Sequence, residues 1–315
     1  MKKSNLSYAI SALLLLSSCG NGNQYGVSGT PEEVMDKKVY SKVVMTYDAI
    51  KDFSDGHAIV ENNDGKYGLI NVKGKEVIPC TYGYGRLGEC HEGLCYFYSS
   101  ESGNGRYGYV NTKGEIVVEA KYNDANDFQD GLGLVKTDKG YGFVNAKGHE
   151  VIPCGYKYAK NFSDGLALVE ANGKYGYINA KNEFVIPAVY EDAEAFSCGV
   201  ACVYKSEKEM VIDTKGELIF ALGSDADFLE EEYADNLIPV IKKVNATYRC
   251  GFVDTKGNEV IPFDYDLAEG FVDGKAMVLQ KKKVYVIDTK GQVLEEVADA
   301  EDMLESLEDL MDWMF

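Results

Sequence analysis

Three histidines, eight cysteines and a recurring Phe-x-Asp-Gly phrase contain most of the residues in this 315-residue chain that could do acid-base, nucleophilic or metal chemistry. His57 closes Phe53-Ser54-Asp55-Gly56-His57, His149 follows Lys147-Gly148, and His91 stands between Cys90 and Glu92. Nucleophilic catalysis needs a nucleophile, a base and an orienting acid held together. No such set recurs, and each histidine sits where a surface-turn residue belongs. Cys90-His91-Glu92 beside Cys95 is the densest potential ligand cluster, but its spacing is not that of a zinc ribbon. Repeated carboxylates in Asp52-Phe53-Ser54-Asp55-Gly56, Asp127-Phe128-Gln129-Asp130-Gly131 and Phe162-Ser163-Asp164-Gly165 invite a calcium reading. Calcium takes about six to eight oxygens, more than one such loop offers, and Asp is a good turn former. The expectation is therefore turns, with no catalytic residue, no metal and no cofactor.

Seven cysteines follow Cys19: Cys80, Cys90, Cys95, Cys154, Cys198, Cys202 and Cys250. An odd set cannot all pair, and most read as small apolar fillers. Most of the 23 tyrosines recur in phase with a long repeat, which marks them as packing residues with a hydroxyl reaching a partner. Tyr84, Tyr96, Tyr98 and Tyr109 gather in the second repeat, and these four are the candidate aromatic binding patch for a glycan or a peptide.

The repeat opens at Tyr47, Tyr82, Tyr122, Tyr156, Tyr190 and Tyr265, with a decayed copy between the last two. Tyr47 to Val297 is 297 − 47 + 1 = 251 residues, so seven units average about 36 each, in the range of solenoids and propellers. In the best-kept unit Leu166–Val169 and Lys174–Ile178 read as a hairpin. A copy of the recurring Asn-x-Lys-Gly turn follows, with Asn182 in the glycine's place, and Glu183-Phe184-Val185-Ile186-Pro187 reads as a third strand stopped by its proline. Tyr-x-x-Ala-x-x-Phe is either a fourth strand or a crossover. Apolar residues alternate onto both faces of these strands, so the sheets need neighbours on both sides. An all-β array of about seven antiparallel sheets follows, β-propeller-like, with an open β-solenoid of stacked hairpins as the alternative. Val43-Val44-Met45 is a possible extra strand for closing a ring, although Gln292-Val293-Leu294 already fills that place.

Lys174-Tyr175-Gly176-Tyr177-Ile178-Asn179, then Val185-Ile186-Pro187, then Tyr190-x-x-Ala193-x-x-Phe196 resembles the WG (KWG) repeat family of bacterial envelope proteins. The resemblance covers about four fifths of the chain, 251 of 315 residues. Tyr replaces the namesake Trp at Tyr67, Tyr107, Tyr141 and Tyr175, Cys250 replaces it once, and the fifth and seventh units carry non-aromatic residues there. The resemblance implies the repeat fold and no particular activity.

Lys2-Lys3, the apolar run to Leu16 and Leu16-Ser17-Ser18-Cys19-Gly20 read as a signal peptide over 1–18 that resembles a lipoprotein signal, with Cys19 lipidated. Residues 19–30 read as a flexible tether, and 31–46 as an N-terminal helix or strand cap opened by Thr30-Pro31-Glu32-Glu33. Bacterial surface lipoproteins often carry acids after the lipidated cysteine; Gly20-Asn21-Gly22-Asn23 has none, which favours the periplasmic face. The repeat domain spans 47–297. Over 298–315, Met303, Leu304, Leu307, Leu310, Met311 and Met314 form one stripe of an acidic amphipathic helix, a cap for the last unit or a partner's groove-filler. Net charge is −19, and removing Lys2 and Lys3 leaves 30 − 51 = −21. Such a body repels nucleic acid and anionic membranes, leaving the lipid anchor as its membrane contact. The expectation is a non-catalytic envelope lipoprotein, a repeat scaffold for protein or glycan binding. The alternatives are a glycan-active enzyme with a carboxylate site, since one fold hosts many chemistries, or a metal-responsive module.

Overall fold

The computed structural model describes residues 27–83, 86–99, 105–229, 234–272 and 274–297. The expected signal peptide, Cys19, Tyr84 and the helix over 298–315 lie outside the described residues. Two short helices, α1 (Pro31–Val34) and α2 (Lys37–Thr46), precede seven separate four-stranded antiparallel sheets. The first holds β1 (Ala49–Ile50), β2 (His57–Glu61), β3 (Tyr67–Asn71) and β4 (Glu76–Tyr82). The second holds β5 (Leu87–His91), β6 (Leu94–Ser99), β7 (Arg106–Asn111) and β8 (Ile116–Tyr122). In the third are β9 (Asp124–Gln129), β10 (Leu132–Thr137), β11 (Gly140–Asn145) and β12 (Glu150–Tyr156), and in the fourth β13 (Ala159–Ser163), β14 (Leu166–Ala171), β15 (Lys174–Ile178) and β16 (Phe184–Tyr190). The fifth runs β17 (Asp192–Ala193), β18 (Val200–Lys205), β19 (Lys208–Asp213), β20 (Leu218–Ala221). The sixth runs β21 (Ala226–Phe228), β22 (Leu237–Val244), β23 (Thr247–Asp254), β24 (Glu259–Tyr265), and the seventh β25 (Leu267–Ala268), β26 (Lys275–Gln280), β27 (Lys283–Asp288), β28 (Val293–Glu296).

Each sheet is a meander of consecutive strands, so Tyr-x-x-Ala-x-x-Phe leads into the first strand of a sheet rather than forming a crossover. The chain divides between Ala188 and Val189 into two compact units. In the first, apolar faces of successive sheets meet: Ile59, Leu69 and Ile78 against Leu87, Phe97 and Val110; then Leu94, Tyr109 and Val118 against Phe128, Val135 and Val144; then Leu134, Phe143 and Ile152 against Phe162, Val169 and Ile178. The second unit repeats the scheme with Val211 against Val240 and Phe252 against Phe271. Met35 and Val43 cover Phe53, Val60 and Ile70 of the first sheet, as an N-terminal cap should. Val43-Val44-Met45 is helical, which corrects its reading as a spare strand. Asp36 caps α2 by accepting from Lys38 N at 2.9 Å, and Val39 and Val43, four apart, share its packed face.

The Asn-x-Lys-Gly turns are alike in all seven sheets. Asn71 Oδ1 accepts from Lys73 N and Lys75 N at 3.0 and 3.1 Å, and Asn111, Asn145, Asn179, Asp213, Asp254 and Asp288 each accept the same two amides. Proline does not stop the strand after this turn; β4 runs on past Pro79 to Tyr82. It can do so because β4 is an edge strand and bulges there: Tyr67 pairs with Tyr82 and Leu69 with Ile78, leaving Gly68 opposite three residues. A Cβ on Gly68 would lie 2.6 Å from Ile78 O, and one on Gly142 2.6 Å from Cys154 N. The Gly after the aromatic therefore exists to let the bulged neighbour cross its backbone. Met210 and Tyr285 take its place in the fifth and seventh sheets, where the partner strand pairs straight across, Val211 with Phe220 and Val286 with Glu295.

The Asp-Gly turns also join sheets. Gly93 N donates to Asp55 Oδ2 at 3.2 Å, Gly131 N to Glu92 Oε2 at 2.8 Å, Gly165 N to Asp130 Oδ2 at 2.9 Å and Gly274 N to Asp235 Oδ2 at 2.8 Å. Each carboxylate holds the corresponding turn of the next repeat, 38, 39, 35 and 39 residues on.

Candidate functional site

Tyr96, Tyr107, Asp124, Ala125, Asn126, Asp127 and Asn161 line a cavity of about 310 Å³ formed by the second, third and fourth sheets. Its polar groups come from one repeated irregularity. In the second sheet Leu87 pairs with Phe97 but Cys90 with Cys95, so Gly88 and Glu89 together face Tyr96. The third sheet shows the same bulge at Asn126-Asp127 and the fourth at Lys160-Asn161. A bulge kinks a strand and re-aims its side chains, which is why such features cluster beside sites. Glu89, Asp127 and Asn161 are thus equivalent residues, each just before the Phe position of its repeat.

Asp127 Oδ1 and Asn161 Oδ1 are both shut off from solvent and have no hydrogen-bond partner. The Asp127 side chain as a whole is 43% exposed, because Oδ2 turns outward to His91 Nε2 at 3.5 Å. Burial pushes the Asp127 carboxyl above the usual range, His91 opposes that shift and Glu89 adds to it. Tyr96 is also raised, by burial first and then by Asp127, so its hydroxyl stays a donor. The cavity therefore offers the polar side chains of Asp124, Asn126, Asp127 and Asn161 and the edges of Tyr96 and Tyr107, whose rings meet at 6.1 Å and 64°.

Of the three described tyrosines of the proposed binding patch, Tyr96 alone lines this cavity. Tyr98 lies behind, edge-on to Tyr107 at 5.1 Å with Arg86 4.7 Å over its ring. Tyr109 is fully buried and offers no surface; its hydroxyl donates to Asn126 O at 2.6 Å, satisfying a carbonyl that the bulge frees. Its position is corrected from binding surface to support of the bulge that aims Asp127. Tyr107, Asp124, Asn126, Asp127 and Asn161 were not singled out as ligand contacts from sequence. The available signal was the polar residue before the Phe position in consecutive repeats, Asp52, Glu89, Asp127 and Asn161.

Cys90 and Cys95, near enough in sequence to pair although most cysteines read as fillers, form a disulfide across the β5–β6 hairpin, with Cα atoms 4.3 Å apart. A two-residue Glu-Gly turn makes residues five apart directly opposed, and a non-hydrogen-bonded antiparallel pair brings them to disulfide range. The bridge fixes the hairpin that carries His91, Glu92 and Tyr96. Cys80, Cys154, Cys198, Cys202 and Cys250 are free. Burial raises the Cys80 thiol to about 11 and Cys250 to about 12, the state of unreactive packing residues. Among the described residues no group of three or more His, Cys, Asp and Glu is placed to hold a metal ion, and no helix is long and apolar enough to cross a membrane.

The family model described as WG containing repeat matches residues 45–67, 67–86, 107–140, 141–175, 175–208 and 251–283. The chain belongs to the WG-containing repeat family. Those WG matches end at Lys208, just before Met210 replaces the repeat glycine, and resume at Gly251 of the sixth sheet. The recognisable WG repeat is thus the one whose glycine accommodates a bulge. No curated protein sequence matches the chain significantly. Among solved structures, the WG-repeat chain is similar to BamB from Moraxella catarrhalis at 13% identity, TM-score 0.42, over 80% of this chain and 82% of that one. A eukaryotic initiation factor is similar at 10% identity, TM-score 0.49, over 73% and 70%, and Hsv2 from Kluyveromyces lactis at 9%, TM-score 0.43, over 74% and 89%. At these scores they carry no argument about what this chain binds.

Proposed function

We propose that this WG-repeat protein is a non-catalytic binding module of the bacterial cell envelope, tethered through a lipidated Cys19, facing the periplasm, and taking a hydroxyl-rich glycan in the cavity between Tyr96 and Asn161. The observation that carries the ligand class is the lining, in which Asp124, Asn126, Asp127 and Asn161 stand beside two tyrosine rings. A ligand with neighbouring hydroxyls bonds to such side chains while its C–H faces pack on the aromatic edges. The repeat-scaffold family supports a binding or structural role. A net charge of −19 argues against nucleic acid as the partner.

One observation favours a second reading. Asp124 and Asp127 share the cavity, and Asp127 is the carboxyl that burial pushes up, the condition a general acid of glycoside cleavage needs. Titrating the full chain with a panel of neutral and acidic oligosaccharides, by calorimetry and with product analysis, separates the two. Binding that falls at least about tenfold in both Tyr96→Ala and Asp127→Asn, with no product, is the expected result. Product formation abolished by Asp127→Asn establishes the hydrolytic reading. Absence of binding, or binding indifferent to both substitutions, removes the cavity from the account.

A further inference from the structure

A second cavity, about 520 Å³, lies between α2 and the turn after β3, far in sequence from the first. Its charge is opposite to that of the chain. Lys38 and Lys42 line it from the helix and Lys73 from the turn, and among the described residues none of the three side chains has a carboxylate partner. Its one acid, Glu76, lies 3.4 Å from Tyr47 OH. The floor is rigid, because Gly74 packs so closely under α2 that a Cβ there would lie 2.9 Å from Val39 and from Val43.

The helix face above this cavity continues the pattern. α2 contains no acid, and Lys37, Lys38, Lys42, Val44 and Met45 are exposed on one arc, opposite buried Val43. Met45 is 81% and Val44 43% exposed. Exposed apolar residues set among lysines on a helix that carries no acid suit a surface that enters a lipid headgroup layer.

We propose that α2 with the cavity beneath it is a docking site for the headgroups of an anionic phospholipid membrane, Lys38, Lys42 and Lys73 receiving a phosphate and Met45 entering the apolar boundary. A free anion would use the lysines and leave Val44 and Met45 without a role, whereas a headgroup layer engages both. Whole-body repulsion by a charge of −19 does not forbid this, since screening over about 8 Å lets the nearest charges decide. The proposal revises the expectation that a lipid anchor is the sole membrane contact, and it does not rest on the glycan reading or on Cys19.

The test places the full chain in vesicles of zwitterionic phosphatidylcholine, with or without phosphatidylglycerol, and follows acetylation of individual lysines and oxidation of Met45 by mass spectrometry. On anionic vesicles Lys38, Lys42 and Lys73 are expected to react about fivefold more slowly, and Met45 to be protected with them, while Lys147 is unchanged. A chain carrying Lys38→Gln, Lys42→Gln and Lys73→Gln should lose the protection of Met45 while keeping its far-ultraviolet circular dichroism. Equal rates on the two vesicle types overturn the proposal. So does lysine protection reproduced by inorganic phosphate alone with Met45 still reactive, which would mark a free-anion site.

Discussion

At the residue scale, Asp127 shows how a site declares itself through cost. Its raised folded-state pKa means that the folded chain holds the proton more tightly than the unfolded chain does. The stability this contributes is full below the unfolded value, near pH 4, and is lost as pH rises through the folded value. Asp127→Asn should therefore raise stability at pH 7 and match the wild type below about pH 4 in chemical denaturation. A variant less stable than wild type at pH 7 would show that the His91 contact outweighs burial. Asp254 has the opposite sign: burial works to raise it, but hydrogen bonds from Asn258 and from the Lys256 amide prevail and hold it low. One carboxylate completes a turn, and the other keeps one oxygen buried without a partner. The amino-acid sequence distinguishes the first, because Asn or Asp stands there two residues before a recurring Lys, followed by Gly in six repeats and by Asn182 in the fourth. It does not distinguish the second, because Asp127 reads as one more polar residue until the bulge turns it inward.

At the scale of the element, the glycine that names the family is a consequence of its neighbour strand. Where that strand bulges across it, no side chain fits; where Met210 or Tyr285 stands, the bulge is gone. Gly142→Ala should cost about 1–3 kcal/mol as β12 is forced outward, while Met210→Ala costs no more than about 1 kcal/mol. Chemical denaturation of both variants checks this, and equal losses would refute the coupling. The hairpins and Asn-x-Lys-Gly turns were legible beforehand, since each depends on residues within about five positions. The strand continuing past proline was not. It depends on β4 and its counterparts being edges, a fact about pairing rather than about the residues themselves.

For the whole molecule, the repeats within each compact unit are held by nearest-neighbour contacts, and turn carboxylates add a polar link at four of the interfaces between successive sheets. Asp55 is buried to 5% exposure and accepts from Gly93. Asp55→Ala is expected to lose about 1.5–3 kcal/mol, Asp55→Asn under about 1 kcal/mol because it keeps an acceptor and tolerates positive φ, and exposed Asp64→Ala within about 0.5 kcal/mol. If the alanine and asparagine variants of Asp55 melt alike, the link is not what stabilises the pair of sheets.

The repeat period, the number of repeats and the seven turns were determined by the sequence alone, because each repeat states its own hydrophobic period and its own turn chemistry locally. Three things waited for the tertiary structure: which acids clasp the next repeat, that Cys90 faces Cys95, and that Asp127 and Asn161 open onto one cavity with Tyr96. The second depends on the register of a single hairpin, and the other two on the meeting of residues about 35 positions apart. A chain read one repeat at a time does not contain the distance between neighbouring repeats; packing supplies it.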